Sequence, residues 1–134
     1  MAQEPSDDAP IRVLIVDDHL LFTEALSTLL DRDERIAVVG SARTGADALD
    51  RAVELDADVV VMDITMPGMD GLETTRRLRA VAPGTRVIVL TGSAEDGIDQ
   101  RAAAAGASAC LTKGALDREV IDAITAVADG RMSF

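Results

Sequence analysis

Three short stretches, Arg12–Val16, Asp58–Met62 and Arg86–Leu90, are apolar and mostly β-branched at consecutive positions instead of alternating with polar residues. A strand reads this way when both of its faces are buried, which requires a sheet covered by helices on each side. Two further runs, Ile36–Val39 and the weaker Ser108–Leu111, complete a set of strand candidates. Between them Leu21–Asp31, Gly45–Leu55, Leu72–Val81 and Asp96–Ala105 carry apolar residues at helical spacing. Leu116–Ala128 closes the series with Leu116, Val120, Ile124 and Val127 on one side. Strictly alternating strand and helix segments of this kind build an α/β fold around a parallel sheet, with the first, third and fourth strands in its middle. Gly40, Gly84 and Gly106 mark places where the chain is expected to turn, and Pro83 should stop the third helix.

A chain of 134 residues is enough for one core and too short for two. Residues 1–10 (MAQEPSDDAP) are polar and acidic without apolar periodicity, so they are expected to form a loose tail. The folded unit is expected over 11–130, leaving 131–134 as the start of a linker. The core must be aliphatic, because Phe22 and Phe134 are the only aromatic residues. A single cysteine, Cys110, excludes an internal disulfide, and no run is long and apolar enough for a signal core or a membrane span. A soluble, cytoplasmic protein is the expectation. The formal charge of −11 argues against direct binding to nucleic acid, since that affinity comes from clustered Lys and Arg.

Open parallel sheets gather their chemistry beyond the carboxyl ends of the strands, where strand order reverses. Here the first strand is followed by Asp17 and Asp18, the third by Asp63, the fourth by Thr91 and the fifth by Lys113. Any one of these residues alone reads as a cap or a solvated charge. Together they bring three carboxylates to one edge, which calls for a cation among them. Hard oxygen ligands suit Mg²⁺. A carboxylate nucleophile beside Mg²⁺, an ammonium and a hydroxyl is the equipment of phosphoryl transfer, with Asp63 as acceptor. His19 reads as a helix-start residue. Cys110 reads as a small buried residue, because nothing near it in the sequence activates a thiolate. Met62, Met66 and Met69 read as packing around the acidic site.

The segments VLIVDDHLLF, DVVVMDITMPGMDGLE, VIVLTGS and GASACLTKG, in this order and spacing, resemble the receiver domains of bacterial two-component response regulators. The VDDH opening, the ITMPGMDGLE loop and the ending AVADGRMSF resemble the NarL/FixJ subfamily, whose members join a receiver to a C-terminal LuxR-type helix-turn-helix. The resemblance implies a flavodoxin-like, doubly wound (βα)5 fold with strand order 2-1-3-4-5. It implies that a sensor histidine kinase phosphorylates Asp63, and that Mg²⁺ is held by Asp17, Asp18, Asp63 and the backbone carbonyl of Thr65. Lys113 would pair with Asp63 and then with the phosphoryl group, and the Thr91 hydroxyl would swing toward it. Pro67 and Gly71 would shape the loop after the acceptor, and Thr65 and Ser93 would influence the lifetime of the phosphoryl group. The fourth helix, fifth strand and fifth helix would present the altered surface, which could serve a homodimer. DNA would be reached only through an effector domain outside this chain, and catalysis would extend only to the domain's own phosphorylation and dephosphorylation. The chain departs from the family at Cys110, where a Tyr or Phe usually reports the phosphorylation state. The same residues suit a stand-alone receiver acting as phosphorelay carrier or adaptor, and Cys110 is a hint of a degenerate receiver. A Mg²⁺-dependent phosphohydrolase fits less well: such enzymes place their nucleophile after the first strand with a second Asp two residues on, whereas Thr65 stands two residues after Asp63.

Overall fold

The computed structural model of the chain describes residues 9–64, 71–92, 97–114 and 118–131. Strands and helices alternate throughout: β1 (Ile11–Val16), α1 (Leu20–Asp31), β2 (Ile36–Ala42), α2 (Gly45–Glu54), β3 (Val59–Asp63), α3 (Gly71–Val81), β4 (Arg86–Thr91), α4 (Ile98–Ala105), β5 (Ala109–Thr112) and α5 (Arg118–Ala128). The strands pair in parallel in the order β2-β1-β3-β4-β5, the flavodoxin-like arrangement. β1, β3 and β4, the strands with consecutive apolar residues, occupy the middle of the sheet.

Side chains alternate across these strands and divide the core into two layers. Val13, Ile15, Val59, Val61, Ile88 and Leu90 face α1 and α5, where they meet Leu26, Leu30, Val120, Ile124 and Val127. Leu14, Val16, Val60, Met62, Val87 and Val89 face the other way, toward Ala48 and Ala52 of α2, Leu78 of α3 and Ala102 of α4. Each fully buried Val, Leu or Ile contributes roughly 1.5–3 kcal/mol relative to exposure, which makes the strand interiors the main stabilising element. Met62 belongs to the second layer and lies directly behind the acidic edge, as packing.

Gly40 does not mark a turn. It lies inside β2, where Val13 pairs with Val38 and Leu14 already pairs with Gly40, so Val39 is an extra residue in the ladder. Such a bulge bends an edge strand and shifts its register. A Cβ on Gly40 would stand 2.7 Å from Cδ1 of Leu55, the residue at which α2 ends, so a larger residue there would require that side chain to shift. Gly106 does end a helix: at φ 104° it closes α4 in the left-handed conformation that glycine adopts without strain. α3 stops at Val81, two residues before Pro83, as the sequence implies. No helix among the described residues is long and apolar enough to cross a membrane.

Candidate functional site

The ladder of the sheet brings the predicted residues together. Asp63 is the last residue of β3 and pairs with Leu90, so the next residue of β4, Thr91, ends the neighbouring strand one step further on. Val16 pairs with Met62, which sets Asp17 beside Asp63 at the place where the strand order reverses. The Asp17 N–H donates to the Ala42 carbonyl at 3.0 Å, and the Lys113 N–H donates to the Thr91 carbonyl at 2.8 Å. Backbone pairing therefore fixes the approach of each functional side chain. Asp17, Asp63 and Thr91 are all buried, with Asp63 fully so.

The Lys113 ammonium reaches back across the edge to the carboxylates. Its Nζ lies 3.2 Å from Asp63 Oδ2 and 2.8 Å from Asp17 Oδ2, the latter an ion contact without hydrogen-bond direction. Partial burial pulls the lysine's pKa down, but Asp17 and Asp63 more than offset this and hold it above the ordinary value. Asp17 Oδ1 accepts the His19 backbone N–H at 2.9 Å, which turns the chain into α1. His19 is the N-cap of α1, as expected of a helix-start residue, although its side chain makes no cap hydrogen bond. The imidazole instead leans over the acidic group, with Nδ1 3.0 Å from Asp17 Oδ1 and 3.5 Å from Asp18 Oδ1.

Ligand atoms of Asp17, Asp18, His19 and Asp63 all lie within 4.8 Å of one another. Asp18 Oδ1 is buried and has no hydrogen-bond donor among the described residues. A carboxylate oxygen withdrawn from water in the company of two other carboxylates is stable only if positive charge reaches it. The donor set fits a hard divalent ion, which prefers oxygen ligands and tolerates an open, partly hydrated position. The remaining expected ligand, the backbone carbonyl of Thr65, lies outside the described residues, as do Met66, Pro67, Met69 and Ser93.

Gly71 begins α3 against the acceptor strand. Its N–H donates to the Ile64 carbonyl at 3.2 Å, and a Cβ there would stand 2.5 Å from the Ile64 Cα and 2.6 Å from the Asp63 carbonyl oxygen. Only hydrogen fits between helix and acceptor. Cys110, opposite Val89 in β5, is half buried against the α2–α4 layer. Burial and a hydrogen bond to Asp99 push its thiol pKa up to about 11, which disfavours the reactive thiolate, although the full burial that the sequence suggests is met only in part.

Two contributors escape a reading by strand ends. One is the His19 ring. The other is Phe22, whose ring centroid lies 4.6 Å from Lys113 Nζ. Both stand where the first turn of α1 passes over the site, a position recoverable from the sequence only by placing that turn above the fifth strand's lysine.

A family model described as the response regulator receiver domain matches residues 13–125. The response regulator GacA of Pseudomonas aeruginosa is 44% identical over 121 residues, covering 90% of this chain and 56% of that protein. The response regulator UvrY of Escherichia coli is 39% identical with the same coverage of 90% and 56%. The chain thus spans about half the length of the curated relatives it matches. Among solved structures, a LuxR-family two-component response regulator from Aurantimonas superposes with a TM-score of 0.89 at 33% identity, covering 94% of this chain and 90% of that one. The response regulator domain of Thermotoga maritima CheB does so at 0.83 and 31%, covering 90% and 97%.

Proposed function

Because the chain belongs to the response regulator receiver domain family, we propose that it is a phosphoacceptor switch in which Asp63 takes the phosphoryl group from a sensor histidine kinase. The observation that carries this reading is the buried Asp63 carboxylate at the sheet's carboxyl edge, paired with Lys113 at 3.2 Å and grouped with Asp17 and Asp18. An Asp63 oxygen attacks the phosphorus of a phosphohistidine, the P–N bond breaks with its electron pair returning to the ring, and the imidazole leaves neutral, keeping the proton already on its other nitrogen. Asp17, Asp18 and Asp63, with the Thr65 carbonyl that the family resemblance adds, would hold Mg²⁺, which would supply the charge neutralisation that such a transfer requires. Lys113 exchanges its contact with Asp63 for one with a phosphoryl oxygen, and the Thr91 hydroxyl donates to another. The protein is its own substrate, so its catalysis is confined to gaining and losing this group.

Residues 11–130 form the receiver in this reading. The likeness to GacA, UvrY and a LuxR-family regulator supports transcriptional output through a C-terminal helix-turn-helix domain. The charge of −11 leaves DNA contact to that domain. A phosphoryl group adds charge and acceptor oxygens that re-pack α4, β5 and α5, the face assigned to a homodimer. Cys110 is a small neutral group at the position of the usual aromatic, so the relay through β5 is weaker or runs through other residues.

Intact-mass measurement after incubation with Mg²⁺ and acetyl phosphate tests the proposal. One phosphoryl adduct is expected, absent in Asp63→Ala and without Mg²⁺. A folded chain that gains nothing from acetyl phosphate or from a phosphorylated histidine kinase overturns it.

A further inference from the structure

The chain has two phenylalanines and no other aromatic residue, yet one of them touches the site. Phe22 stands in the first turn of α1, which starts directly after Asp17, Asp18 and His19. Its neighbours Leu20 and Leu21 are 59% and 81% exposed, while Phe22 turns inward, half buried against the layer under α1 and α5. Had burial of an apolar group been all that this position needs, an aliphatic residue like the rest of that layer would serve. An aromatic face adds something an aliphatic side chain lacks, a negative quadrupole that attracts an ammonium within about 6 Å. The Lys113 ammonium lies within that distance, and the same Nζ contacts Asp17 and Asp63 at 2.8 and 3.2 Å. Ring and carboxylates together restrict a side chain that otherwise has four flexible carbons to wander on.

We infer that Phe22 is a positioning residue for Lys113: its ring holds the ammonium over the acidic edge and thereby raises the rate at which Asp63 is phosphorylated. The inference rests on the reading of Asp63 as phosphoacceptor. With acetyl phosphate as donor, an Asp63 oxygen bonds to phosphorus, the bond from phosphorus to the acetyl oxygen breaks, and acetate leaves. Lys113 must turn from the carboxylates to the incoming phosphoryl oxygens, and the ring limits how far it strays in doing so.

The sparse aromatic content permits a direct test. In a Phe134→Leu chain, growth on mono-, di- or trifluorinated phenylalanine alters the Phe22 ring alone, and each fluorine weakens the quadrupole with little change of shape. The rate of adduct formation with Mg²⁺ should fall stepwise, reaching roughly two- to five-fold below the unfluorinated chain. Phe22→Leu should lie at or below the slow end of the series, and Phe22→Tyr should recover the parent rate. The urea midpoint should fall with fluorination in the parent and stay constant in a Lys113→Met background. A parent that takes no phosphoryl group removes the phosphoacceptor reading and this inference together. A parent whose rate ignores fluorination, or a midpoint that changes equally in both backgrounds, removes the inference alone.

Discussion

An aspartate stands at each end of β3, and the two are treated in opposite ways. Asp58, just before the strand, is exposed, and its Oδ2 accepts the Arg12 N–H at 2.9 Å. Around it the amino edge of the sheet is closed by paired groups: Arg12 donates to the Leu55 carbonyl at 2.8 Å, Thr85 Oγ1 to Ala57 at 2.8 Å, and Arg79 to Thr85 at 2.8 Å. Asp63, at the other end of the same strand, is fully buried among carboxylates that, among the described residues, share one lysine. The amino edge spends its polar groups on holding the fold. The carboxyl edge keeps charge out of water at a cost to the fold, and that excess of negative charge is what a cation can answer.

Substitutions and ligands can break this contrast at either end. The largest effect is expected from Gly71→Ala, which forces a methyl group against the backbone of Asp63 and Ile64. Overpacking of this kind should cost about 3 kcal/mol in urea unfolding. Next comes the ion. Mg²⁺ at a hundredfold excess over its dissociation constant should stabilise the chain by about 2.7 kcal/mol, and Asp18→Asn should abolish that gain. Without Mg²⁺, Asp18→Asn should itself raise stability by about 1 kcal/mol, since it removes a buried carboxylate oxygen that lacks a donor among the described residues. At the amino edge the sign reverses: Thr85→Val should lower stability by about 1 kcal/mol through the lost bond to Ala57. A destabilised metal-free Asp18→Asn would show the two edges to be alike.

The smallest effect is one of pH. Lys113 has a raised pKa in the folded chain, so its stabilising charge is fully present below about pH 10.5 and is lost as pH rises beyond that value. The stability difference between the parent and Lys113→Met should accordingly stay level up to about pH 10.5 and shrink above it. A difference that grows in alkaline solution would contradict the pairing with Asp17 and Asp63.

The central strands were legible because burial on two faces leaves a local mark, the unbroken apolar run. The acidic edge was legible for a related reason: a parallel sheet puts every strand's carboxyl end on the same side, so Asp17, Asp63, Thr91 and Lys113 converge whatever their separation in sequence. What escaped depends on contacts between distant elements. Gly40 resembles a turn residue until Leu55 is seen packed against it, and β2 runs on to Ala42 because the bulge carries the strand past the glycine. His19 and Phe22 acquire their neighbours from the way α1 leans across to Lys113, which no pattern within α1 records.

The extra residue in β2 has a further consequence. β2 and β5 are the two open borders of the sheet, where unpaired backbone groups could template the addition of a strand from another molecule. β5 offers only the short run Ala109–Thr112, and Val39 throws β2 out of phase partway along its length. A foreign strand laid against either border finds no long, even row of donors and acceptors, so the chain carries in its backbone a defence against fibril growth.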